Sequence, residues 1–180
     1  MSAVIKVGMA DYKVGNGPDK LLTLGLGSCI GITLYDKRKK QGGMAHIMLP
    51  KNPTPDNPTP KFADSGVDLL VKDLEKMGVS MRNVEAKVAG GAQMFTFSSS
   101  NEMNSIGYRN AESVLHELKK RGIKVIAEET GGNSGRTIEL DLETGDLKIK
   151  TMGSGTTTDS LFGGIDSLKI KTMGSGEKFI

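Results

Sequence analysis

Two apolar runs separated by a charged turn fix the centre of this fold. Ile30 to Tyr35 reads Ile-Gly-Ile-Thr-Leu-Tyr, Asp36 to Gln41 is polar and basic, and Gly43 to Leu49 is apolar again. Short β-branched and aromatic runs around a polar turn predict an antiparallel hairpin. With the turn centred near Lys39, positions equally far from it face one another, so Cys29 is expected opposite the region His46 to Leu49. A slip of one residue would turn the two side chains to opposite faces. Cys29 is the only cysteine of the chain and His46 one of two histidines.

A cysteine beside a histidine is the usual pairing of a nucleophile and its base. A free thiol is only a few per cent thiolate at neutral pH, and an imidazole that takes its proton raises that fraction. Gly25, Gly27 and Ser28 precede Cys29, and a glycine-rich turn can aim successive amide N–H groups at one point, as an oxyanion requires. Thr23, on the strand before, is placed to orient the second imidazole nitrogen, the third role of a triad. The bland reading is also open. A lone cysteine serves as a small hydrophobe in many cores, and a strand histidine is often a hydrogen-bonded core residue.

Thr-Leu-Gly-Leu-Gly-Ser-Cys-Ile at 23–30 and Ala-His-Ile-Met-Leu-Pro at 45–50 are followed by Lys61-Phe62-Ala63-Asp64, Ala86 to Ala92 with Met94-Phe95, Ile106-Gly107-Tyr108-Arg109-Asn110 and Glu129 to Arg136. On these stretches, in order over about residues 1–155, the chain resembles the chemoreceptor glutamine deamidases, the CheD family. The resemblance implies a Cys29–His46–Thr23 triad, with the loops Gly90 to Ala92 and Gly131 to Asn133 lining the mouth of the site, and Gly27, Ser28, Gly90 and Gly91 are expected to bind the oxyanion or substrate. It implies hydrolysis of glutamine side chains on methyl-accepting chemoreceptors through a thioester, possible methyl-ester hydrolysis by the same route, and a CheC-type phosphatase as partner. A module that binds receptor or phosphatase without catalysis is the alternative. The implied fold is α+β, with two packed β-sheets flanked by helices, related to toxin deamidases with a Cys-His site.

At 180 residues the chain is long enough for one domain with a core of its own. Twenty-four basic against 21 acidic residues leave a net charge of +3, which predicts neither a nucleic-acid nor a membrane-surface partner. No apolar run reaches membrane-spanning length and no signal-peptide pattern appears, since Lys6 interrupts Val4 to Ala10. A single unpaired cysteine points to the cytoplasm. Gly90-Gly91-Ala92 and Gly131-Gly132-Asn133 lack the Gly-Lys-Ser/Thr ending of a phosphate loop, so they read as tight turns, and neither cofactor nor metal is expected.

Along the chain, Val4 to Ala10 and Leu21 to Gly25 read as strands with a loop from Asp11 to Lys20 between them. Five of the six prolines lie between Pro50 and Pro60, which predicts an extended, exposed loop, either a flap beside His46 or a plain connection. Ala63–Met77 and Ala111–Arg121 are amphipathic helices ending at Gly78 and Gly122, each apolar on one face. His116 falls on the polar flank of the second. Val84–Ala89 and Ile123–Ala127 read as strands, and Arg136–Leu142 with Leu147–Thr151 as a hairpin.

The C-terminal stretch carries a duplication. Leu147 to Gly155 recurs unchanged as Leu168 to Gly176, an offset of 21 residues. Residues 1–155 are therefore read as the deamidase-like domain and 156–180 as a tail. In the tail, 156–176 is an insertion ahead of a natural ending at Glu177 to Ile180, with Leu161, Phe162 and Ile165 as possible docking anchors on this domain or a neighbouring copy.

Overall fold

The computed structural model describes residues 2–93, 105–152, 171–173 and 176–180. One sheet is six-stranded, in the order β1 (Val4–Lys6), β3 (Lys20–Leu26), β8 (Gly135–Asp141), β9 (Leu147–Met152), β11 (Glu177–Phe179), β10 (Lys171–Met173). The other is five-stranded, in the order β2 (Asp11–Asn16), β5 (Gln41–Ile47), β4 (Ile30–Asp36), β6 (Glu85–Gly90), β7 (Lys124–Thr130). The pairs β1–β3 and β6–β7 are parallel and the remaining pairs antiparallel. Two helices, α1 (Ala63–Lys76) and α2 (Ile106–Lys120), complete an α+β fold.

The β4 strand shows how the layers arise. All seven of its residues are buried, because both faces of the five-stranded sheet are covered. Ile30, Ile32 and Leu34 point to the helices and pack with Val67, Leu70, Leu74, Val114 and Leu118. The alternate positions face the six-stranded sheet, where Tyr35 joins Leu21, Leu26, Ile138, Leu140 and Ile149. Apolar helix stripes at i, i+3 and i+4 thus meet one face, and the alternating residues of β3, β8 and β9 meet the other.

Several expectations are corrected. The first strand stops at Lys6, and Asp11–Asn16, expected as loop, is the edge strand β2, whose Tyr12 and Val14 pack partly against the helical core. The α2 helix begins five residues before Ala111, at Ile106, where the Ser105 hydroxyl accepts from the amide of Tyr108. The proline-rich loop is not extended. Its base is closed by the Leu49–Phe62 bridge and by the amide of Met48 donating to Lys61 O, and its Asn52 is buried, holding Thr54 and Asn57. Met94-Phe95, the 155/156 boundary and the docking anchors Leu161, Phe162 and Ile165 lie outside the described residues.

Two close approaches hold the loops at one end of the sheets. A Cβ on Gly107 would stand 2.4 Å from Gly91 O and 2.7 Å from Ala92 O, so α2 lies against the backbone that follows β6. Nearby, Glu129 and Arg136 are buried together, with Arg136 Nε donating to Glu129 Oε2 at 2.8 Å. The Arg136 guanidinium also donates to Gly90 O and Gly131 O, and Lys178 Nζ of β11 donates to the other Glu129 oxygen. Burial presses the Lys178 ammonium below its ordinary pKa, and the Glu129 carboxylate opposes that. The closing strand thereby reaches the turns that follow β6 and β7.

Removing the anion takes the carboxylate away from two buried cations. Glu129→Ala should cost about 3–5 kcal/mol in urea unfolding, and a loss under about 1 kcal/mol, the value of an exposed pair, would show that the cluster holds nothing. Gly107→Ala should cost about 1–3 kcal/mol, against the usual gain for such a change in a helix, because the new methyl meets backbone on both sides.

Candidate active site

The site begins at an irregularity in β3. Thr23 pairs with Ile138 but Leu26 with Arg136, so the strand carries one extra residue between them, and Gly25 takes φ +69° there. A bulge with a left-handed glycine bends the strand, and here it re-aims the next segment of chain, Gly27, Ser28 and Cys29.

On β5, His46 pairs with Gly31 of β4, while Ala45 and Ile47 point to the helices. His46 therefore faces the other sheet, where Thr23 Oγ1 lies 2.7 Å from its Nδ1. The Thr23 hydroxyl donates its single proton to Val7 O at 2.7 Å. Towards the imidazole it can only accept, so Nδ1 carries the ring proton and Nε2 is a bare lone pair. That Nε2 is buried and makes no hydrogen bond among the described residues.

Cys29 shares this face. Ile30 pairs with Ile47, so the next position out sets Cys29 opposite Met48, and His46 is its diagonal neighbour across the ladder. Both Cys29 and Met48 pack in the inter-sheet core. Cys29 is free and 7% exposed. Burial pushes its thiol pKa up and pulls the His46 imidazole below its ordinary value. Burial thus disfavours the thiolate and the imidazolium alike.

Three successive carbonyls of the loop that carries Cys29 are tied down. Gly27 O accepts from the Ala92 amide at 2.8 Å, Ser28 O from Asn110 Nδ2 at 2.9 Å and Cys29 O from the Gly91 amide at 2.9 Å. Among the described residues none accepts from the amides of Ser28 or Cys29, whereas the Gly27 amide donates to Gly25 O. Gly90 at φ +116° would carry a Cβ 2.3 Å from Cys29 O, and its own carbonyl accepts from Gly131 and Arg136. Gly90 and Gly91 thus hold the loop from behind, while Ser28 and Cys29 keep amides to offer.

Asn110 is the residue that sequence reasoning missed. Fully buried on α2, its Nδ2 reaches both Ser28 O and Met48 O at 2.9 Å. The signal was present: 107, 110, 111, 114 and 118 form the buried stripe of α2, and an asparagine on it demands a polar reason.

A cavity of about 270 Å³ opens beside the loop, lined by Gly91, Tyr108, Ala111, Thr130, Gly131 and Gly132 among others. A second, of about 460 Å³, lies under the proline-rich loop and includes the exposed His116, and its Arg121 is paired with Asp68 and Glu117. Among the described residues no three His, Cys, Asp or Glu side chains are grouped to hold a metal, and no helix is long and apolar enough to cross a membrane.

Comparison with known proteins bears on the family. A family model described as CheD chemotactic sensory transduction matches residues 48–151, a range that begins beyond Thr23, Cys29 and His46. The chain is 51% identical over 157 residues to a probable chemoreceptor glutamine deamidase CheD of Syntrophomonas wolfei, covering 86% of this chain and 98% of that one. It is 51% identical over 159 residues to the protein of the same name from Clostridium kluyveri, covering 84% and 94%. With the corresponding protein of Desulfitobacterium hafniense it shares 50% over 156 residues, covering 86% and 98%. A match of this length and identity, on a fold that sets a cysteine and a histidine on one face, places the chain in the CheD family.

Proposed function

We propose that this chain hydrolyses the side-chain amide of glutamines on chemoreceptors in the cytoplasm, with Cys29 as nucleophile, His46 as base and acid, and Thr23 as the group that orients His46. The observation that carries the reading is the bare, buried Nε2 of His46, fixed by the Thr23–Val7 relay on the face that Cys29 shares. The activity for which relatives of about 50% identity are named supports the substrate.

The geometry orders the steps. His46 Nε2 takes the thiol proton as sulfur bonds to the carboxamide carbon, and the C=O electron pair moves to oxygen. The amides of Ser28 and Cys29 receive that oxyanion, and Gly27, Gly90 and Gly91 keep the loop that carries them in place. Collapse breaks the C–N bond, the Nε2 proton goes to the leaving nitrogen, and ammonia departs. His46 then takes a proton from water, hydroxide adds to the thioester, and glutamate leaves as the proton returns to sulfur. A methyl ester would take the same path with methanol as leaving group. Because burial disfavours both charged forms, proton transfer belongs to the attack itself rather than preceding it.

A second reading is favoured by one observation. Cys29 packs with Leu26 and Ile138 in the inter-sheet core, where an inert cysteine would also be at home. The chain would then bind receptor or a CheC-type phosphatase without turnover.

Incubation with receptor cytoplasmic fragments separates the two through released ammonia and the mass shift of Gln to Glu. Cys29→Ala should reduce turnover by about 10⁴-fold or to background, and an undiminished shift would refute the nucleophile. Thr23→Val should lose about 10²-fold while Thr23→Ser stays near wild type, since only the serine keeps the oxygen that accepts from Nδ1. The folded pKa of His46 lies below its ordinary 6.5, so the unfolded chain takes up this proton first as pH falls. The stability this provides is present above about pH 6.5 and is lost as pH falls through the folded value. Thermal midpoints between about pH 7.5 and pH 5 should therefore fall more in wild type than in His46→Gln.

A further inference from the structure

We infer that Asn110 is the positioning residue that builds the oxyanion hole, an inference that rests on the reading of Cys29 as nucleophile. Its Nδ2 spends one hydrogen on Ser28 O and the other on Met48 O. Its Oδ1 is buried without a partner, so the amide is not placed there to satisfy itself. A flipped amide would press Oδ1 against two carbonyl oxygens, so the orientation is unambiguous.

The Asn110 contact acts one bond further on. The Ser28–Cys29 peptide is trans, so drawing the Ser28 carbonyl towards α2 turns the Cys29 N–H the opposite way. The carbonyls on either side, of Gly27 and Cys29, are held by backbone amides of Ala92 and Gly91, which no substitution other than proline removes. The middle one depends on a side chain alone. Without it the Ser28–Cys29 peptide is free to rotate, and the amide that should meet the developing charge is no longer aimed. Met48, two residues beyond His46, is held by the same nitrogen, which ties the end of β5 to the nucleophile loop.

The test uses two reagents that attack the same sulfur. Acylation of Cys29 by p-nitrophenyl acetate passes through a tetrahedral oxyanion. Alkylation by iodoacetamide is a displacement at a saturated carbon and forms none. In Asn110→Ala, acylation should slow by about 100-fold, the loss typical of one hole donor, while the alkylation rate and its pH profile stay within about threefold of wild type. Asn110→Asp keeps the shape but loses the donors and should behave likewise, so it is the variant read where alanine does not fold. Equal losses with both reagents, or no loss with either, would overturn the inference, the first by showing that Asn110 serves the fold or the Cys29–His46 pair instead. No receptor enters this assay. A wild type that is acylated but does not deamidate receptor refutes the substrate alone, and one that is not acylated refutes the nucleophile.

Discussion

A hydroxyl has one proton, and the carbonyl of Val7 takes the one on Thr23. That single commitment decides the tautomer of His46, the free lone pair on Nε2 and the side from which a proton can be drawn. It also joins the layers, for Thr23 stands in one sheet and His46 in the other. The packing that buries Leu26, Ile138 and Met44 between the sheets therefore sets the distance on which the imidazole depends. A sheet covered on only one side would leave the imidazole hydrated and its tautomer unassigned.

Burial also shapes the chemistry. Taking a thiol and an imidazole out of water disfavours both charged forms, and the two shifts run in opposite directions from the same cause. Such a site disfavours charge until a substrate carbonyl arrives to accept it. A buried neutral thiol is also slow to react with stray electrophiles.

Much of this was legible in the sequence, and the reasons differ by element. The hairpin and its pairing came from the two-residue period of the strands. Because Cys29 and His46 both lie on the face opposite Ile30 and Ile47, one register fixed the face they share. The helices came from their stripes, although α2 starts earlier than its apolar residues suggest because Ser105 caps it and Gly107 fits against Gly91. β2 was hidden by its own composition, for Asp, Lys, Gly and Asn on an edge strand read as loop. The stripe of α2 marks Asn110 as needing a polar partner, but which partner it takes, and the Glu129–Arg136–Lys178 cluster, were out of reach for another reason. Their partners are 62 to 82 residues away for Asn110 and 49 for Lys178, and no local pattern signals a bond of that span.

The duplicated nonapeptide bears on how such a sheet can grow. β11 is flanked by β9 on one side and by β10, taken from the second copy, on the other. Lys150 stands opposite Glu177, while its counterpart Lys171 stands opposite Phe179, so the two copies align two residues apart along the strand they enclose. Two residues are one full pleat, and a displacement by whole pleats leaves inward and outward side chains where they were. A margin built this way is a ratchet with a tooth of two residues. Extra peptide can be threaded in at the border of the fold while Lys178 still reaches Glu129, and evolution can lengthen the chain there without the interior registering the change.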